Sequence, residues 1–225
     1  IKRLILQFSI ASFIVSKGII FNSLDFSIFN KIYPIININT MIGFPLTVIW
    51  IVAITNSLNW IDGLDGLASG ISIITGFGFF IIAFLNNNLY GCFISCVLIG
   101  SCLGFLKYNR YPSIILMGDG GSYFLGFVIS FLGIFVSYTP NNEFNSTLLI
   151  STILLITVFS GDMIFVISKR IRSGKSPFFP DRNHLHHRLL NNGYKHKNAV
   201  NIIYLFNILF TIISLFIYTG TPRNI

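Results

Sequence analysis

Long apolar stretches constrain this chain more than any other feature. A bilayer-spanning helix needs about 20 mostly apolar residues, within a range of about 17–25. Seven segments reach or approach that length: 4–24, 41–57, 67–85, 89–106, 122–139, 147–168 and 200–218. The second is short, and the first contains Lys17, whose long stem can carry its charge toward the interface. Little is left with which to build a water-soluble surface. Charged residues make up 10% of the 225 positions, against about 25% in soluble domains, and mean hydropathy is +0.76. The sequence therefore predicts an all-α fold, a polytopic membrane helix bundle forming one integral membrane domain over residues 1–225. A soluble globular protein and a disordered chain are both excluded. Gly76, Gly78, Gly100 and Gly104 lie inside spans, where glycine permits close helix contact. No internal repeat is evident.

The loops predict an orientation. Grouping the N-terminus with loops 58–66, 107–121 and 169–199 collects Lys2, Arg3, Lys107, Arg110, Lys169, Arg170, Arg172, Lys175, Arg182, Arg188, Lys195 and Lys197 on one side. Lys31 and Arg223 fall on the other. Cytoplasmic loops carry such an excess of Lys and Arg, so the first side is expected to be cytoplasmic, with the C-terminus outside. Acidic residues are scarce, seven in all. Asp62, Asp65, Asp119 and Asp181 lie in the cytoplasmic loops, and Asp162 sits in the sixth span near its cytoplasmic end. Asp25 and Glu143 fall outside. The basic face is therefore where chemistry is expected.

The net charge of +8 could mean nucleic acid in a soluble protein. Here it reflects basic loops at an anionic membrane surface, so no nucleic-acid partner is expected. Cys92, Cys96 and Cys102 share one apolar stretch without a CxxC pair, which argues against structural zinc or a disulfide framework. Ser122 and Ser160 have no evident base in sequence, and Walker and dinucleotide fingerprints are absent.

Three motifs carry the chemistry. In Asn56-Ser-Leu-Asn59-Trp-Ile-Asp62-Gly63-Leu-Asp65-Gly66-Leu67, positions 56, 59 and 62 recur at spacing three and can share a helical face. The Asp-Gly steps then tighten the backbone. A helix end of this kind presents an amide oxygen and two carboxylates together, hard ligands that suit Mg²⁺. A plain polar turn is the rival reading. In Met117-Gly118-Asp119-Gly120-Gly121-Ser122, directly before a span, glycines let the backbone approach a phosphate and Asp119 could hold its metal. A capped Gly-rich turn is the rival reading. Lys107, Asn109 and Arg110 add polar groups to the same loop. In Pro177-Phe-Phe-Pro180-Asp181-Arg182-Asn183-His184-Leu-His186-His187-Arg188, three of the four histidines fall within four residues. Such a cluster can bind phosphate through charge-assisted bonds or ligate a transition metal. For Asp162, structural pairing with a basic residue is expected ahead of catalysis.

Together, ITNSLNWIDGLDGLASG, ILMGDGGSYFLGF and SPFFPDRNHLHHRLL resemble the polyprenyl-phosphate N-acetylhexosamine-1-phosphate transferases, glycosyltransferase family 4. The resemblance runs from the first span to near Lys197. The Pro-Asp-Arg-x-His-x-His-His pattern is similar to the undecaprenyl-phosphate GlcNAc-1-phosphate transferases rather than the phospho-MurNAc-pentapeptide type. It implies transfer of GlcNAc-1-phosphate from a UDP-sugar to undecaprenyl phosphate with release of UMP, dependent on Mg²⁺ or Mn²⁺, at the cytoplasmic face of a bacterial inner membrane. It implies metal ligation by Asn59 and Asp119 and catalytic roles for Asp62 and Asp65. Substrate binding is implied at Gly63, Leu64, Asn109, Arg182, His184, His186 and His187, with Asn56 and Asp181 in the same motifs. A homodimer is a further implication.

One departure stands out. The family also carries an Asp-Asp motif in an earlier cytoplasmic loop, and three or four earlier spans, that would lie before Ile1. With Ile rather than Met at its start and no signal peptide, the chain is expected to be the C-terminal portion of the enzyme, with its activity alone an open question. A transporter with an interrupted helix near Asp62–Gly66 and a catalytically inactive membrane scaffold are the alternatives from other classes.

Overall fold

The computed structural model describes residues 2–21, 23–24, 36–37, 39–138, 146–179 and 181–220. The expected outer-side residues Asp25, Lys31, Glu143 and Arg223, and the expected outer C-terminus, lie outside them. The elements run α1 (Lys2–Val15), β1 (Ser23–Leu24), β2 (Ile36–Asn37), α2 (Thr40–Ile61), α3 (Leu67–Leu85), α4 (Leu89–Asn109), α5 (Gly118–Val136), α6 (Ser146–Arg172), α7 (Leu185–Asn191) and α8 (His196–Gly220). The two strands pair antiparallel, Ser23 opposite Asn37.

Among the described residues, six helices are long and apolar enough to cross a membrane: α2, α3, α4, α5, α6 and α8. The expected span at 4–24 is not one of them. Helix α1 has 14 residues. It ends where Ser16 Oγ bonds the Phe13 carbonyl at 2.6 Å, Lys17 brings a charge, and Gly18 adopts a φ of +97° that favours glycine. The Gly-rich motif also differs from expectation, since residues 118–121 form the first turn of α5 rather than a loop. Helix α2 likewise runs through Asn59 to Ile61, past the expected start of its loop at 58.

Helix α3 is the centre of the bundle, its buried residues running from Leu67 to Ala83. Lipid tails are as apolar as leucine, so contact between spans depends on close packing and interhelical hydrogen bonds. Asn207 of α8 donates to the Ile71 carbonyl and to Thr75 Oγ1 of α3, each at 3.2 Å. Thr75 Oγ1 in turn donates to the Leu155 carbonyl of α6 at 3.2 Å. Ser214 Oγ reaches the Ser151 carbonyl at 2.8 Å, joining α8 to α6. Helices α2 and α5 meet through Trp50, whose indole donates to the Ser130 carbonyl at 3.1 Å. A Cβ added at Gly126 would stand 2.8 Å from Thr55 Cα and 2.9 Å from its carbonyl oxygen. Two of the four expected contact glycines behave this way, Gly76 facing Ile99 and Gly78 facing Leu155. Gly100 and Gly104 have nothing within 4 Å, because they lie on the exposed face of α4.

Gly126→Val is therefore expected to lower the thermal unfolding midpoint in detergent, at an overpacking cost of about 1–3 kcal/mol. Gly100→Val, facing open space, is the control and should leave the midpoint nearly unchanged. Equal effects would contradict the α2–α5 packing.

Candidate active site

The chain reverses direction between α2 and α3 in five residues. Helix α2 closes with the Asp62 N–H on the Asn59 carbonyl at 3.3 Å, and the Gly63 N–H returns to Ile61 at 2.7 Å. Gly66 then takes a left-handed φ of +78° to enter α3. Asn109, buried at the end of α4, brackets this turn. Its Oδ1 accepts from the Gly66 N–H at 3.1 Å and Ser69 Oγ at 3.2 Å, and its Nδ2 donates to the Ile115 carbonyl at 2.9 Å. Asp65 Oδ2 accepts from the Ser113 N–H at 3.1 Å. The 62–66 turn and the 110–117 loop are thus locked together.

The first turn of α5 brings Asp119 to the same place. Asn59 Nδ2 donates to Asp119 Oδ1 at 3.2 Å and to Ser122 Oγ at 2.8 Å. A cleft of about 290 Å³ results, lined by Asn59, Asp62, Gly63, Leu64, Asp65, Asn109, Leu116, Met117, Gly118 and Asp119. Seven of the predicted site residues are therefore assembled in one cleft. Burial first, and then the charge of Asp119, push the Asp62 carboxyl up to about 6. Arg3 of α1 pairs with Asp119 at the exposed rim.

The donor set, all oxygen, fits a hard divalent cation such as Mg²⁺ or Mn²⁺. Among the described residues no three His, Cys, Asp or Glu side chains converge as a closed metal site. What the cleft offers is carboxylate oxygens and the amide oxygen of Asn59, whose nitrogen is already committed. Mg²⁺ is held in this manner, by one or two carboxylates, with water and phosphate oxygens completing its shell.

The histidine loop is fastened from below by Asp162, which is almost completely buried in α6. Asp162 Oδ2 bonds His184 Nδ1 at 2.8 Å. Its Oδ1 accepts from the Leu185 N–H at 2.7 Å and faces Arg188 Nη2 at 3.7 Å. A carboxylate in one helix thus caps the start of another, α7. Arg170 fastens the other end of the loop. It is bidentate to Asp181, Nε–Oδ2 2.9 Å and Nη2–Oδ1 3.2 Å, donates to the Pro177 carbonyl at 2.5 Å, and lies 5.0 Å over the Trp60 ring. This pair holds the Asp181 carboxyl far below the usual carboxylate range.

The loop brings His186 against the cleft. A Cβ added at Gly63 would stand 2.1 Å from His186 Nε2, so glycine there makes room for the ring. Burial, then the neighbouring His187 and His184, push the His186 imidazole down to about 4. His187 is lowered by burial, then by His184 and Arg182. Both rings are therefore neutral at pH 7. Arg182 is exposed beside them. Asn56 lies one turn before Asn59 and is engaged elsewhere, donating to Gln7 Oε1 and the Val52 carbonyl at 2.7 Å each. It does not line the cleft.

Sequence reasoning left Arg3, Trp60, Ser113, Ser122 and Arg170 outside the site. Trp60 alone carried a signal, as an aromatic inside a polar motif. It is edge-on to His184 at 5.6 Å as well as beneath Arg170. Asp162 does pair with basic side chains, and through them it holds the loop.

This geometry can be set beside known proteins. The model of glycosyl transferase family 4 matches residues 1–137. The chain belongs to glycosyl transferase family 4. It is 36% identical over 219 residues to a probable undecaprenyl-phosphate N-acetylglucosaminyl 1-phosphate transferase of Bacillus subtilis, covering 97% of this chain and 59% of that protein. It is 33% identical over 222 residues to a decaprenyl-phosphate N-acetylglucosaminephosphotransferase of Mycobacterium tuberculosis, 88% of this chain and 53% of that protein. A phospho-N-acetylmuramoyl-pentapeptide-transferase of Prochlorococcus marinus is 32% identical over 224 residues, 93% and 59% respectively. The chain therefore spans between half and three-fifths of the length of these family members.

Two predictions follow from the loop. Asp162→Ala leaves the Leu185 N–H, His184 and Arg188 without their acceptor, a cost of about 1–3 kcal/mol. Hydrogen exchange of the amides of α7 should rise about tenfold or more while α3 stays protected, and unchanged exchange would contradict the anchoring role. His186 is held below its ordinary 6.5, so the unfolded chain binds the extra proton as pH falls from about 6.5 to about 4. Stability is then lost on acidification. Relative to His186→Gln, which does not titrate, the protein should lose ~3 kcal/mol between pH 7 and pH 4, read from unfolding midpoints. A constant difference would contradict the neutral, buried ring.

Proposed function

We propose that this chain carries the active face of a polyprenyl-phosphate sugar-1-phosphate transferase, with GlcNAc-1-phosphate from a UDP-sugar as the transferred group and undecaprenyl phosphate as the acceptor. One observation carries the reading. Asn59, Asp62, Asp65 and Asp119, from α2, the α2–α3 turn and α5, meet in a single cleft at the end of a membrane bundle, with a histidine loop against it. The lipid acceptor requires a site at the membrane face, and the family relatives named above are phosphosugar transferases.

In this reading the phosphate of the lipid attacks the sugar-linked phosphorus, the new P–O bond forms, the anhydride bond breaks, and UMP leaves. A bound Mg²⁺ or Mn²⁺ supplies charge neutralisation on the diphosphate. Asn59 and Asp119 are the residues that would hold it. Asp62 and Asp65 orient the acceptor and the sugar nucleotide beside them. Gly63, Leu64 and Asn109 form the wall against the nucleoside. His186 and His187, being neutral, act as hydrogen-bond donors and acceptors, and Arg182 supplies positive charge to phosphate. The excess of Lys and Arg at this end of the bundle supports a cytoplasmic site in a bacterial inner membrane. A homodimer belongs to the same proposal.

The test is UMP release from UDP-GlcNAc by membranes containing the protein, with undecaprenyl phosphate and Mg²⁺ supplied or omitted. Release should require both, and Asp119→Asn should lower it at least about a hundredfold without loss of folded protein. Release that is independent of lipid or metal, or full turnover by Asp119→Asn, would overturn the proposal.

A further inference from the structure

A second cavity, of about 630 Å³, opens at the same end of the bundle between the last turn of α4, the 110–117 loop and the first turn of α8. Of its lining, the catalytic chemistry above uses only Asp65. Lys107, Arg110 and Lys197 line it together with His196, Tyr108 and Tyr111. Among the described residues, none of these three cations forms an ion pair. Two of them are held over aromatic faces instead, Lys107 at 5.7 Å from the Tyr108 ring and Lys197 at 5.7 Å from the Tyr111 ring. His196 packs on Tyr111 with ring centroids 4.5 Å apart, and its Nε2 is buried without a hydrogen-bond partner. The single acid on the wall, Asp65, is engaged by the Ser113 N–H.

Three uncompensated cations and an unsatisfied imidazole nitrogen around one cavity call for an anion. The start of α8, a helix of 25 residues, adds the positive end of its dipole. Location then narrows the class. Both helices meet the cavity where their apolar runs end, which is the headgroup depth of a bilayer, and tyrosines mark the same depth. The rim is apolar, with Ile114 80% exposed. A soluble phosphate has no use for such a rim, whereas a lipid continues across it into its acyl chains.

We propose that this cavity binds the phosphodiester headgroup of an anionic phospholipid from the surrounding bilayer. The cations hold the phosphate, His196 donates to or accepts from the headgroup, and Ile114 and Tyr108 border the first carbons of the chains. Because Asp65 and the 110–117 loop border both this cavity and the catalytic cleft, a bound lipid also braces that loop.

Native mass spectrometry of the detergent-purified protein tests this without reference to turnover. Phosphatidylglycerol should be retained at least tenfold more strongly than phosphatidylcholine. Each neutralised cation should cost about fivefold in phosphatidylglycerol retention, so Lys107→Gln/Arg110→Gln/Lys197→Gln should weaken that retention by about a hundredfold and abolish the preference. A charge-matched variant, Lys17→Gln/Arg172→Gln/Lys175→Gln, should keep it. Equal retention of the two lipids by the unmodified protein would overturn the proposal, with no variant needed. So would an undiminished preference in the cavity variant. Displacement of phosphatidylglycerol by millimolar inorganic phosphate or UMP would assign the cavity to a soluble anion and overturn it as well.

Discussion

The turn between α2 and α3, held shut by the side chain of Asn109, is the constraint on which the rest of this structure depends. A chain leaving one span and entering the next must satisfy its backbone polar groups within a few residues. Here the reversal uses a left-handed Gly66, and its buried N–H is captured by Asn109 Oδ1. The same amide reaches the Ile115 carbonyl, so one buried side chain fixes both the turn and the loop that faces it. Tyr204 of α8 adds a hydrogen bond to the Gly66 carbonyl. Asp62 and Asp65 take their places because this turn is tight.

Charge is distributed around that turn in a consistent way. Acidic side chains are brought together in the cleft, where burial first, and then the charge of Asp119, raise Asp62 to about 6. Basic side chains are used on its periphery as fasteners, Arg170 to Asp181 and Arg188 near Asp162. His186 and His187 are kept neutral chiefly by burial, with His186 lowered to about 4. Burying one carboxylate in α6 is costly unless it is hydrogen-bonded and paired. Asp162 meets both conditions through His184, Leu185 and Arg188, which makes it a registration point between the membrane bundle and the loop above it.

Much of this was legible in the sequence. Six of seven expected spans are full-length helices, because apolar runs of about 20 residues admit few other structures in lipid. The three motifs were legible for the reverse reason: clustered polar groups are too costly in such a chain to be incidental. What stayed hidden depended on packing. Periodicity gave no sign that Gly100 faces open space while Gly126 touches α2. It could not foresee that Ser16, Lys17 and Gly18 stop α1 early, or that Asn59 meets Asp119 sixty positions away. Protonation was equally hidden, since nothing in His-Leu-His-His distinguishes a solvated cluster from one pressed against Gly63. Asn109 read as a loop polar group beside Lys107, and only the fold places it in the bracket.

The central claim is that Asn59 and Asp119 hold a divalent cation on a diphosphate in the cleft beside Asp62. Pulsed EPR of Mn²⁺ bound to the protein tests it most directly, because coupling to ³¹P reports a phosphate oxygen in the metal's shell. On adding UDP-GlcNAc, a ³¹P coupling should develop in the unmodified protein and be absent from Asn59→Ala and Asp119→Asn. A Mn²⁺ signal with no ³¹P coupling, or coupling that survives both substitutions, would contradict the account.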